Sequence, residues 1–284
     1  VEGWIAMAHS HKARYLLHMS KTGKFHADAV LSEAALGIQS NALNGDITYS
    51  TAGPDVYNPW ANVARSQEAP ILDGWISEQL ADAMNGTTFG VVDPRMPFMF
   101  GDTQTGEFIG VENGAGRPSG VGVEDERSVL ERGTFYASDG SDLLIITAAE
   151  VKFIQAEAHL ADGNTTAAYT AYLDGIRAHM DMVGVATADR DAYIADPDVS
   201  VAAPNITLHL IMKEKYVAMF LHPEAWNDAR RFDYQYEDMT LPANHNPAMN
   251  GQFVRRLIYP DSEVSRNLEN VPTATALDRI WWDE

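Results

Sequence analysis

Apolar residues three or four positions apart mark two successive helices between Leu143 and Val185. From about Thr147 to Leu160, the positions Ala149, Phe153, Ala156 and Leu160 form one stripe. After Ala161-Asp162-Gly163-Asn164, a second stripe runs through Ala168, Tyr172, Ile176 and Met180. Gly163 suits the left-handed backbone that ends a helix, and Asn164 or Thr165 can accept the free amides that begin the next. Residues 143–185 therefore predict an antiparallel helical hairpin. Residues 1–42 predict a similar one. Its first helix runs from Trp4 to Ser20, with Trp4, Ile5, Ala8, Leu16 and Met19 at roughly helical spacing, and its second from Asp28 to Gln39. A third hairpin fits residues 206–232, with helices from Thr207 to Phe220 and from Glu224 to Phe232. Pro223 suits the first turn of the latter, where its missing amide hydrogen costs nothing.

Helical hairpins in series predict a mainly α fold of tetratricopeptide-like units, an α-α superhelix. Their spacing is irregular, so they read as degenerate repeats within one domain, 1–284. Residues 43–142 break the pattern: they are rich in Gly, Pro, Asn and Asp, and carry Tyr49, Tyr57, Trp60, Trp75, Phe98 and Phe100. One helix is expected there, from Pro70 to Met84, with Ile71, Leu72, Trp75, Ile76 and Leu80 along its buried face. The rest reads as loops, and so long an aromatic insertion points to function rather than disorder. Gly110 to Val123, with five glycines in fourteen residues, reads as a mobile loop. The last segment, 233–284, is irregular, and its Trp281-Trp282 pair is expected to fold back on the core.

Composition removes several classes. With 40 acidic and 20 basic residues, a net charge of −20 and only six lysines, the chain has no basic stripe for nucleic acid. It has no cysteine, hence no disulfide, thiolate metal site or cysteine nucleophile. No run of eighteen apolar residues offers a membrane-spanning helix. The opening Val1-Glu2-Gly3-Trp4 has no methionine and no signal-like pattern, so an upstream segment is expected to have been removed. Phosphate-loop, nucleophile-elbow and H-E-x-x-H patterns are missing. His9, His11, His18 and His26 crowd the first hairpin, but their spacing suits a solvated face better than one ion, and no metal or other cofactor is expected. Asp139-Gly-Ser-Asp142 and Gly101-Asp102 could help hold a structural calcium, without a complete EF-hand ligand series.

Several motifs stand in order along the chain: Glu150-Val-Lys-Phe153-Ile-Gln-Ala156-Glu157-Ala158, Tyr172-Leu-Asp-Gly175-Ile176-Arg177 and Gly184-Val185, then Lys215-Tyr216 and Glu224-Ala225-Trp226 leading to Arg230-Arg231. Together they resemble the SusD/RagB family of glycan-capturing surface lipoproteins of Bacteroidetes. Arg256-Leu257-Ile258-Tyr259-Pro260, leading to Glu263 and Asn267, follows them. Upstream, Asp93-Pro94-Arg95 and Lys12-Ala-Arg14-Tyr15-Leu16-Leu17 match as well. Glu214 stands where the family often has Gln, and His179 where it often has Ser. The likeness is to the larger C-terminal portion of a member, without the N-terminal helices or the lipidated cysteine. It implies helical hairpins supporting a loop-rich face, non-catalytic binding of an oligosaccharide or polysaccharide (in some members a peptide), and an outer-membrane, cell-surface location through a lipid anchor not in this sequence. It also implies a partner, a TonB-dependent transporter of the SusC type, over which the protein would sit as a lid.

Sugar recognition in water needs flat apolar surfaces for the C–H faces of the rings and amides or carboxylates at the rim for the hydroxyls. Tyr57, Asn58, Trp60 and Asn62 supply both on an expected exposed loop and are the first choice for ligand contact, against a reading in which Trp60 only pins that loop. Phe98 and Phe100, one strand period apart, rank next. Trp75 is expected in the core. Glu150 and Glu157, two helical turns apart, are read as structural ion pairs with Arg177, Arg230 and Arg231 rather than as a general acid and base. The alternative to glycan capture is a tetratricopeptide-like adaptor that binds a protein segment or peptide. A glycoside hydrolase on a helical scaffold has abundant carboxylates in its favour and no pattern.

Overall fold

Nine of the fourteen residues of one helix, Ala148–Ala161 (α6), are buried. A helix apolar on nearly every side needs a layer against each face, and the computed structural model, which describes residues 1–65, 74–116 and 126–284, supplies both. On one side lie α1 (Glu2–His18) and α2 (Ala27–Leu36), where Ala13, Leu17, Val30 and Ala34 pack on Val151, Ile154 and Ala158. On the other lie α7 (Thr165–Val183) and α9 (Leu208–Ala218), where Tyr172, Ile176, Met180 and Ile211 share a larger core with Phe153 and Ala156. With α10 (Glu224–Arg231), helices stand at each of the positions where a hairpin was expected, and the fold is mainly helical.

Local chemistry sets the boundaries. The Thr147 hydroxyl accepts the Glu150 amide at 3.2 Å to start α6. Asn164, one of the two expected caps, accepts the Ala167 amide at 3.1 Å to start α7. Gly184, at φ 97°, ends α7. A further helix, α8 (Thr187–Ala195), follows where the hydrophobic pattern did not indicate one.

The insertion leaves and returns through a narrow neck. Gly45–Ile47 (β1) pairs antiparallel with Leu143–Ile146 (β2), Gly45 opposite Ile146 and Ile47 opposite Leu143. Among the described residues of the insertion lie three short α-helices: α3 (Pro59–Arg65), α4 (Glu78–Met84) and α5 (Met96–Met99). The helix expected from Pro70 to Met84 is shorter than its pattern; residues 70–73 lie outside the described ones. Ile76 is extended, donating to the Ser128 carbonyl at 3.0 Å and accepting from the Val111 amide at 2.8 Å, and α4 begins only after Ser77 caps it. A short apolar run buried between two neighbouring segments has no periodicity that separates it from a helix. Trp75 accordingly stands on an extended segment and is only half-buried, not in a helix's core face.

Of the glycine-rich stretch expected to be mobile, residues 117–123 lie outside the described ones, but its start is anchored. A Cβ on Gly110 would fall 2.4 Å from the Glu78 backbone, so only glycine allows this approach. The C-terminal segment is irregular apart from the exposed α11 (Asp261–Asn267). Its terminal Trp pair divides: the Trp282 ring stacks on His18 at 5.5 Å, whereas Trp281 is 63% exposed. The pair sits at the centre of a turn closed by the Asp283 amide donating to the Ile280 carbonyl at 2.8 Å, and only one ring turns inward. No described helix is long and apolar enough to cross a membrane.

Candidate ligand groove

The carboxylates of α6 are held in ion pairs, with partners that differ from those expected. Glu150 meets Arg14 of α1, Nε to Oε1, at 2.6 Å. Glu157 accepts from Lys215 at 2.7 Å and from Arg231 at 2.8 Å, and Asp228 joins the same two cations. Arg177 instead pairs with Asp174 on the surface at 2.7 Å. Arg230 pairs with neither glutamate. Its guanidinium lies between the Trp226 and Trp282 rings, 3.9 and 4.7 Å from their centroids, and donates to the Arg255 carbonyl at 3.0 Å. Neighbours on a helix diverge by about 100°, so Arg231 aims at α6 while Arg230 aims at the C-terminal tail. Burial would raise the Asp228 carboxyl, but Lys215 and Arg231 hold it well below its ordinary range. These groups are locked in structure rather than left available for proton transfer.

Two of the histidines and one of the suggested calcium ligands are likewise held. His9 bonds Glu33 at 2.6 Å and His18 bonds Glu224 at 2.9 Å, while Asp139 accepts from Arg65 and Arg132, both at 2.9 Å. Among the described residues, no group of three or more His, Cys, Asp or Glu side chains is placed to hold a metal ion.

Trp60 lies on α3 rather than on a loop, and Asn58 places it there. Asn58 is fully buried: its Oδ1 accepts the Trp60 amide at 2.7 Å, its Nδ2 donates to the Ser141 carbonyl at 2.8 Å, and its own amide donates to the Asp139 carbonyl at 2.9 Å. Every polar group of that side chain is engaged, which makes Asn58 a positioning residue rather than a ligand contact. Tyr57 turns its ring to the Arg65 guanidinium, 4.4 Å away, and Asn62 is exposed. Phe100 is completely buried, and Phe98 packs on the same core from its edge. Residues 96–99 are helical, so the strand-like pairing of these two rings on one exposed face does not form. Phe100 acts from beneath, with its ring 6.0 Å from Phe220.

Trp60 opens onto two adjoining hollows of about 380 and 450 Å³. Both are lined by Trp60, Leu80, Tyr216, Phe220 and Leu221; His222 closes one end and Trp75 the other. Apart from Trp60, the aromatic members were not anticipated from sequence as ligand contacts. Tyr216, in the last turn of α9, and Phe220, just beyond its end, stand four apart, a spacing that indicates a shared face but not that this face is open. Burial raises the Tyr216 phenol, against a smaller lowering by its hydrogen bond with Ser77, so the ring enters the wall as a neutral group.

The turn between α9 and α10 forms the floor. Leu221 has φ 59°, a left-handed backbone that costs a non-glycine residue about 1–2 kcal/mol. His222 fastens it: Nε2–H donates to the Ile145 carbonyl at 3.0 Å, and Nδ1 accepts the Glu224 amide at 3.1 Å. The groove floor is thereby tied to β2, the neck of the insertion, and the helical scaffold sets the relation between Trp60 and Phe220.

A helical scaffold with its charges paired internally and an open aromatic groove on one face is the architecture of a binding protein. In sequence, residues 1–260 match the SusD-like family, described as starch-binding and associating with the outer membrane, and the chain belongs to that family. The family's proteins bind carbohydrate and are not enzymes. Solved structures share the fold. A SusD homologue of Bacteroides thetaiotaomicron superimposes with a TM-score of 0.76 at 17% identity, over 99% of this chain and 65% of that one. A chitin-binding protein gives 0.75 at 19%, over 99% and 64%. A SusD homologue of Bacteroides fragilis gives 0.71 at 21%, over 94% and 62%. The chain thus spans somewhat less than two thirds of the length of these structures, and the likeness is one of fold. No curated protein matches the chain in sequence.

Proposed function

We propose that this chain is the glycan-binding part of a cell-surface uptake complex, and that the groove between Trp60 and Phe220 receives the sugar. The observation that carries this reading is the groove itself: aromatic walls on a rigid floor, in a member of a starch-binding family. Rings of this kind stack on pyranose C–H faces, and the exposed Asp142, in a recess beside Trp60, can hydrogen-bond hydroxyls. Bound glycan is passed on to a TonB-dependent transporter of the SusC type, and a lipid anchor holds the protein at the outer membrane; the family's association with that membrane supports both.

Calorimetric titration of the purified chain with α-1,4-glucose oligomers and with N-acetylglucosamine oligomers tests the binding, since the family description names starch and one fold neighbour binds chitin. Saturable binding that Trp60→Ala weakens by about 2 kcal/mol supports it. No heat with any glycan, alongside binding of peptides, moves the protein to the adaptor class. Co-purification with a neighbouring transporter from membranes tests the delivery step.

A further inference from the structure

Among the described residues, no lysine or arginine lines the two hollows beside Trp60. The guanidinium closest to Trp60 in the chain, Arg65, is already committed: it donates to Asp139 at 2.9 Å and lies over the Tyr57 ring. Arg132 serves the same Asp139. His222, at one end, donates through Nε2 and accepts through Nδ1, an arrangement only the neutral imidazole makes. At the same end, Asp142 is exposed and lines a recess that shares Trp60, Phe220, Leu221 and His222 with the groove; no cation pairs with it among the described residues. Its charge is felt nearby, where burial and then Asp142 raise the Asp46 carboxyl.

From this arrangement we infer that the groove selects uncharged glycans, whether plain hexose or N-acetylated polymers, and rejects uronic-acid and sulfated ones. The inference rests on the glycan-binding reading above and narrows its ligand class. A carboxylate or sulfate brought against the Trp60 and Phe220 rings loses its hydration and finds no cation to replace it. A neutral ring surrenders only apolar surface there and keeps its hydroxyls at the rim. The net charge of −20 adds a longer-range repulsion that salt screens beyond about 8–10 Å.

The test is a calorimetric comparison on the purified chain, at low and at high salt. The ligands are maltoheptaose and chitohexaose, both neutral, and oligogalacturonate and chondroitin sulfate oligosaccharides of similar length. At least one neutral oligomer binds with a salt-independent affinity that Trp60→Ala lowers roughly thirtyfold. At low salt the acidic oligomers bind roughly tenfold or more weakly, a gap that narrows as salt rises and in Asp142→Lys. An acidic oligomer bound as tightly as the neutral one, and loosened by salt, overturns the inference while leaving glycan binding intact. If no glycan of either kind binds, the functional reading fails and the inference falls with it.

Discussion

Arg14 and Glu150 lie 136 residues apart and meet in a two-point contact, Nε to Oε1 and Nη2 to Oε2, each 2.6 Å. Their side chains are 7% and 2% exposed, and the same Arg14 Nη2 also donates to the Ile145 carbonyl at 2.7 Å. One guanidinium therefore fastens α1 to both the end of β2 and the first turn of α6. Since a carboxylate buried without its cation is strongly unfavourable, Arg14→Met is expected to lower stability by about 3–5 kcal/mol. Arg14→Met with Glu150→Leu removes both charges and should cost less than the sum of the single changes. Urea denaturation of the four proteins measures the coupling; strictly additive losses would show that the two residues do not act as a pair.

Gly175 lets α7 come close against the Phe153 ring of α6. A Cβ there would stand 2.8 Å from Phe153 Cζ, and Phe153 is completely buried. Gly175→Ala raises helix propensity by about 1 kcal/mol, but overpacking a fixed core ring typically costs about 1–3 kcal/mol. The expected net effect is destabilisation by about 1–2 kcal/mol. It should shrink when Phe153→Leu makes room, which thermal melts of the single and double variants would show. A stabilised Gly175→Ala protein would mean that Phe153 moves freely.

The hairpins were legible because each is local: a stripe of 3.6-residue period, a stop at Gly163 or Thr22-Gly23, and a cap within four residues. Partners across the fold were not. Sequence spacing placed Glu150 on the correct face of α6 but could not show that this face meets Arg14 rather than Arg177. The insertion misled in another way. Ile76 reads equally as helix or strand, and Phe98 and Phe100 read as a strand pair, because short apolar runs lack a period that distinguishes the two. In the candidate groove, Trp60 could be singled out from its neighbours in the chain. Its opposite wall, Tyr216 and Phe220, comes from 156 and 160 positions later and resembles ordinary core until the turn at Leu221 is seen to open it.

Stability should fall in two stages as pH is lowered. Burial and the Arg95 guanidinium hold His179 well below its ordinary value of 6.5, so the unfolded chain binds a proton that the folded one refuses. That contribution is intact above about pH 6.5 and is lost progressively below it. Glu224 acts in a lower window. Burial would raise its carboxyl, but hydrogen bonds from His18 and Asn227 hold it at about 2, against an ordinary 4.5. The stability it contributes is complete above the ordinary value and disappears as pH falls toward about 2. His179→Gln should flatten the first stage and Glu224→Gln the second, in denaturant midpoints recorded across the range. An unchanged slope in either variant would assign that stage to other groups.

Residues that form the groove and residues that hold it up should separate experimentally. Trp60→Ala removes a wall, so it should weaken glycan binding by about 2 kcal/mol while the fold survives. Phe100→Ala, beneath Phe220, should instead cost about 3–5 kcal/mol of stability, and any loss of affinity should follow the loss of structure. Leu221→Gly isolates the floor. Relief of its left-handed backbone returns about 1 kcal/mol, roughly balancing the packing lost by a half-buried leucine, so the melting temperature should move little. Binding should weaken nevertheless, because the floor loses both its side chain and its rigidity. Calorimetry and melting curves on the three variants distinguish these outcomes. A Leu221→Gly protein of unchanged affinity would show that the α9–α10 turn supports the hairpin without touching the sugar.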